Sequence, residues 1–227
     1  MIIKKGGDWK LAAESFLELA MAQAANKHKM TEKQQKIVEA AIEMFAEKGY
    51  ASTSTSEIAK KAGVAEGTIF RNFVSKENLL FSVILPFLLD SLPDIADNFI
   101  QDVLTKPYPS FKSFLTAVIT ERLQFVKANR KIFKILVVEL LNREDLRDQL
   151  ISFFQQAPYQ HLNAVLDTFK QQGELINLPN AVLIRTMLTQ IFGFFMVRFA
   201  LFPNLDWDDA REAEQLVQVI LNGIGKK

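Results

Sequence analysis

"SEIAKKAGVAEGTIFRNF", residues 56–73, decides the fold. It contains no histidine, no cysteine and no nucleophile paired with a base, which makes a catalytic site a poor reading of it. A helix opened by Ser54, in a capping box with Glu57, and running to Ala62 turns Ile58 and Ala59 inward. Ala59 is small where a second helix must cross close by. Gly63 follows the helix end, where left-handed backbone costs glycine nothing. Val64 plugs the corner. A second helix from about Glu66 then points Ile69 and Phe73 inward and leaves Glu66, Thr68, Arg71 and Asn72 facing out. Two helices joined by a tight glycine-containing turn, the second presented for a major groove, make a helix-turn-helix.

Working outward, Thr31 and Gln34 form a capping box for a preceding helix that gathers Ile37, Ala41, Met44 and Phe45 on one side and stops at Gly49. Ser75 opens the next helix, with Glu77 in its first turn where the dipole favours an acid. Further upstream, Asp8 caps an amphipathic stretch over 8–25, and Lys27, His28 and Lys29 read either as a basic arm for DNA or as a linker. Residues 1–30 are an extension, or sequence ahead of a start at Met30. Downstream, breaks at Pro93, 106–109, Asn129, Pro158, 171–180 and 202–204 leave helical segments at 110–128, 130–141, 144–171, 180–201 and 207–224. No alternating strand pattern appears. The expectation is an all-α protein: extension 1–30, a three-helix helix-turn-helix DNA-binding domain 31–76, and a larger phenylalanine-rich ligand-binding and dimerisation bundle 77–227.

Net charge is +1, so a nucleic-acid partner has to be held by locally placed charges rather than by an overall basic field. Zero cysteines remove disulfides and thiolate chemistry, and His28 and His161 are too few for a histidine metal site. No metal, no cofactor and no enzymatic activity are expected. Lys4, Lys5 and the later Ala22-Gln23-Ala24 imitate a signal peptide, but Glu14 and Glu18 interrupt its apolar region. The apolar run at 191–202 is short and carries Arg198. A soluble, cytoplasmic protein without a membrane partner is expected.

The stretch 33–80 resembles the tetracycline-repressor (TetR) family of transcriptional regulators. The marks are Phe45, Gly49-Tyr50, Ile58-Ala59, Gly63-Val64, Gly67-Thr68, Phe73 and Ser75-Lys76-Glu77. Two positions depart from the family pattern: Ala65 stands where a capping Ser or Thr is usual, and Phe70 where a Tyr hydroxyl usually meets a phosphate. The resemblance implies that Ser54, Ser56, Thr68 and Lys76 reach phosphates, and that Glu66, Gly67, Arg71 and Asn72 lie at base edges, with Phe70 on the same surface. Arg on guanine and Asn on adenine are the favoured pairings. It also implies a double-stranded operator as partner.

In the bundle, segment 180–202 is apolar nearly all round, so one side needs cover beyond its own neighbours. A symmetric homodimer through 160–172 and 180–201 supplies it, with Phe192, Phe195, Val197 and Phe199 at the interface; a central position in a thick monomeric core is the alternative. Phe87, Phe111, Val118, Arg122, Phe125 and Phe133 are candidate lining for a small hydrophobic or amphipathic effector. Arg122 sits mid-face on 110–128, where a charge needs a partner: Glu139, or a ligand's carboxylate or phosphate. The expected function is a ligand-responsive repressor that binds a palindromic operator as a homodimer. The alternative is a helix-turn-helix protein controlled by a protein partner.

Overall fold

The computed structural model describes residues 30–91, 108–144, 146–148, 151 and 157–225. The expected helix at 8–25 and the basic segment Lys27–Lys29 lie outside the described residues. The described part is helical, with no strand, and its one extended pairing is an isolated bridge between Leu175 and Gly225.

Helix α1 (Glu32–Lys48) starts where the sequence signals: Thr31 Oγ1 accepts from the Gln34 amide at 3.3 Å, and Gln34 Oε1 accepts from the Thr31 amide at 2.9 Å. Its helical period buries Ile37, Ala40, Ala41, Met44 and Phe45. Helix α2 (Thr55–Ala62) opens on the same device, Ser54 with Glu57. It closes at Gly63 with φ 67° and ψ 34°; the Val64 amide reaches Ala59 O at 3.0 Å and the Gly63 amide Lys60 O at 3.3 Å. These two bonds satisfy the last carbonyls, and only the left-handed residue between them allows both. Helix α3 (Glu66–Phe73) has no side-chain cap at Ala65, as its residue type dictates. Helix α4 (Lys76–Ser91) begins under the Ser75 hydroxyl, which accepts from the Asn78 amide at 3.0 Å. Helices α5 (Phe111–Ala128), α6 (Arg130–Asn142), α8 (Asn180–Phe195) and α9 (Asp209–Ile224) follow the expected segments closely, whereas α7 (Ala157–Gln171) is the later part of the segment expected at 144–171, of which residues 145, 149–150 and 152–156 lie outside the described residues. Pro158 falls in the first turn of α7, where its missing amide proton costs nothing. Helix α8 continues as a π-helical turn, Met196–Leu201.

Packing divides the described residues into two units. Residues 30–90 pack with 134–151, and 108–133 with 157–225. The packing line therefore runs differently from the functional division expected at residue 76, because α4 and most of α6 go with the helix-turn-helix. In the first unit Ile37, Ile58, Ile69, Leu79, Leu80 and Ile84 are fully buried; each such side chain is worth about 1.5–3 kcal/mol. Lys134 at the near end of this part of α6 donates to Ala46 O at 2.9 Å.

The second unit is built on α5 against α9. The rings of Phe111, Phe114 and Phe169 meet at centroid distances of 5.4–6.0 Å. Asp209 joins three elements, receiving Lys127 at 2.6 Å and Arg198 at 2.9 Å. Burial pushes the Asp209 carboxyl up, but these two cations outweigh it and hold the group below the usual carboxylate range. Helix α8 and its π turn prove two-faced rather than uniformly apolar: Leu183, Ile184, Met187, Phe195 and Phe199 are buried, whereas Leu188 and Phe192 are 45% and 41% exposed.

Candidate nucleic-acid interface

Ile69 and Phe73 pin α3 from the inside, so its opposite side is presented outward. Glu66, Gly67, Phe70, Arg71 and Asn72 are all exposed there, and Thr68 is half-buried. Spacings of four residues stack Glu66 under Phe70, Gly67 under Arg71 and Thr68 under Asn72. The Asn72 amide donates back to Thr68 O at 2.7 Å, and Glu66 accepts from the Thr55 hydroxyl at 2.5 Å. The second bond ties α2 to α3. Gly67 is helical and carries no positive φ; a methyl group there would meet nothing within 4 Å. Nothing inside the described chain explains a glycine that costs the helix about 1 kcal/mol relative to alanine.

Ser54 and Ser56 are exposed at the start of α2, their hydroxyls 3.1 Å apart. Ser54 is also committed to its cap, accepting from the Glu57 amide at 3.2 Å. Glu57 takes the Lys48 ammonium at 2.6 Å, and this bond, with those from the Ser54 amide and hydroxyl, holds its carboxyl down at about 2. Lys76, expected at a phosphate, is engaged within the chain. Its ammonium donates to Thr53 O at 2.6 Å and lies 4.3 Å from the centre of the Tyr50 ring. Burial pushes its pKa down, offset in part by the Glu139 charge. In this arrangement Lys76 holds the loop before α2.

The residues expected to line an effector site belong to different places. Phe87 is buried in the first unit; Phe111, Val118, Arg122, Phe125 and Phe133 belong to the second. Val118, Arg122 and Phe125 share a half-buried face of α5. Arg122 forms an ion pair with Glu121 and lies 4.9 Å from the Phe125 ring. That gives the arginine a carboxylate from its own helix, in addition to the candidates the sequence suggested. Phe133 packs on Phe192 at 5.9 Å. Concavities open elsewhere, about 520 Å³ beside Lys170, Gly173 and Ile176, and about 210 Å³ among Phe45, Gly49, Lys134 and Glu139. At the expected dimer face, Phe195 and Phe199 fill their own unit's core, with rings 6.2 Å apart; Val197 is half-buried, and Phe192 stays open.

Residues 37–83 match the bacterial regulatory proteins of the tetR family. The fatty acid metabolism regulator protein of Bacillus subtilis is 26% identical over 197 residues, covering 86% of this chain and 97% of the relative. Among solved structures, the fatty acid degradation regulator FadR from Bacillus halodurans superposes with a TM-score of 0.67 at 21% identity, covering 86% and 97% of the two chains. The ketosteroid transcriptional regulator KstR2 of Mycobacterium tuberculosis superposes with a TM-score of 0.66 at 20% identity, covering 88% and 98%. At those identities the two structures speak for the fold alone. Residues 37–83 thus carry the helix-turn-helix of the tetR family, and through it and the helical bundle that follows, the chain resembles the DNA-binding transcriptional regulators of that family.

Proposed function

We propose that the protein is a repressor that binds a palindromic operator as a homodimer and lets it go when a small hydrophobic or amphipathic molecule binds the carboxy-terminal bundle. The observation that carries this reading is the outward face of α3, where Gly67, Phe70, Arg71 and Asn72 are exposed on a helix anchored by fully buried Ile69. Arg71 suits the two acceptors of a guanine edge and Asn72 the donor and acceptor of adenine. Gly67 lets the backbone come close to the DNA. The exposed hydroxyls of Ser54 and Ser56, with Thr68, position the pair on phosphates.

Support for a dimer comes from α8 and its π turn, where Leu188, Phe192 and Leu201 are exposed at 45%, 41% and 56%. A second copy related by a two-fold axis covers such a stripe and brings a second α3 to a second half-site. By length and composition Asn180–Leu201 could also cross a membrane, with a mean hydropathy of 1.4. A buried face and ion-paired Arg198 favour the dimer, working in the cytoplasm beside its DNA. Relatives named for fatty acid metabolism support an effector with an acyl chain. Since Glu121 already answers the charge of Arg122, the effector is expected to enter by its apolar part.

The test is a gel-shift titration on the DNA upstream of this protein's own gene, with acyl compounds of graded chain length and sedimentation of the free protein. A dimer whose operator affinity falls about 5- to 150-fold with one of them is expected. A micromolar monomer, or an affinity indifferent to every compound, would contradict the proposal.

A further inference from the structure

Tyr50, just past α1, has two cations over its ring: the Lys76 ammonium at 4.3 Å and the Arg143 guanidinium at 5.7 Å. Arg143 lies outside the helix-turn-helix sequence, immediately after α6. Its Nη2 donates to Glu77 Oε1 in the first turn of α4, and its guanidinium also lies 5.5 Å from the Phe81 ring. The Arg143 side chain is only 17% exposed, so this cation has exchanged most of its water for a carboxylate and two ring faces. One turn earlier on α6, Glu139 is 6% exposed and its charge favours the protonated form of Lys76. Lys76 in turn holds Thr53 O, and Thr53, 1% exposed, donates its hydroxyl to Gly49 O at 2.8 Å. The next residue is Ser54, whose cap starts α2. A continuous set of contacts thus runs from Arg143 and Glu139, through Tyr50, Glu77 and Lys76, to the loop that aims α2 and α3.

We propose that Arg143 is a positioning residue for DNA binding: from beyond α6 it holds loop 49–53 and the first turn of α4 in the frame that presents the recognition helix. The proposal rests on the DNA-binding reading above. It is tested in the full chain with Arg143→Gln, Arg143→Lys, Glu77→Gln and the Arg143→Gln/Glu77→Gln double variant. Amide hydrogen exchange is read without DNA, and operator affinity is read across a salt series. Arg143→Gln is expected to speed exchange at Tyr50–Ser56 and to weaken operator binding roughly fivefold or more, with the salt slope unchanged. Glu77→Gln should do the same, and the double variant should add little to either, since the two groups act as one unit. Arg143→Lys keeps the charge without the planar fork and should recover part of the loss.

Unaltered exchange in Arg143→Gln would overturn the proposal whatever happens to DNA binding. A salt slope reduced by about 0.9 per half-site would overturn it by making Arg143 a phosphate contact. Unchanged affinity with only a lower melting temperature would make Arg143 a structural support and overturn it too. Wild-type protein that binds no operator would remove the DNA reading itself, and this proposal with it.

Discussion

Gly67 and Arg71, one turn apart on α3, separate stability from binding. A methyl group on Gly67 meets nothing within 4 Å, and alanine is the better helix former by about 1 kcal/mol. Gly67→Ala should therefore melt higher than wild type yet bind operator more weakly, because the added methyl stands between the backbone and the DNA. A variant both more stable and equally tight would place Gly67 off the contact surface. Arg71→Ala should cost about 1–3 kcal/mol per half-site and relax the preference at one base pair. Binding assays on operators varied at single positions check this; equal weakening on every sequence would make Arg71 a phosphate contact instead. Val74, at the end of the same helix, has φ 65° and ψ −44° and is 73% exposed, while the Ser75 amide bonds to Phe73 O at 2.7 Å. A β-branched residue in that tight three-residue turn stores strain of order 1–3 kcal/mol. Nothing in the sequence around Val74 announces it, since the turn is imposed by the directions of α3 and α4 and not by a turn-forming residue.

At the scale of the helix, the capping box of α2 sets an acid limit. Glu57 is held at about 2 by Lys48 and Ser54, against 4.5 for the free group. A carboxyl whose folded pKa is depressed contributes stability that is complete above the unfolded value and is lost as pH falls through the folded one. The start of α2 should therefore loosen between about pH 4.5 and pH 2. Amide exchange at Ser54–Ile58 would reveal this, and Glu57→Gln should remove the pH dependence while keeping part of the cap. This box, like those at Thr31 and Ser110, involves partners three residues apart, so it was legible in the sequence or would have been. The Gly63 turn was legible for the same reason. Contacts across longer separations were not: Lys76 to Thr53 spans 23 residues and Arg143 to Glu77 spans 66. Arg122 shows another limit. Helix geometry points neighbours away from each other, so the sequence does not announce Glu121 as the partner, although a long arginine can fold back to it. On α8, an all-round apolar run carries no phase, and the sequence could not tell inward Phe195 and Phe199 from outward Leu188 and Phe192. The π turn at 196–201 shifts the register further from any 3.6-residue reading.

At the scale of the whole molecule, the account depends on two recognition helices acting together. Leu188→Glu or Phe192→Glu puts a charge on the exposed side of α8; the first leaves the core untouched and the second gives up the ring contact with Phe133, unlike a change at buried Phe195. Either variant should sediment as a monomer, keep its helical circular dichroism, and lose most operator affinity. A dimeric variant with full affinity would move the interface elsewhere. With the overall net charge at +1, the proposed operator binding would have to come from contacts grouped on the α2–α3 surface, doubled in the proposed dimer. The most direct measurement is selection of operator sequences from random double-stranded DNA by the full-length protein. The expected result is an inverted repeat whose half-site centres lie about 34–36 Å apart, or a multiple of that spacing, with the Arg71→Ala protein losing preference at one base pair in each half. Enrichment of a single unpaired site, or of no sequence at all, would contradict it.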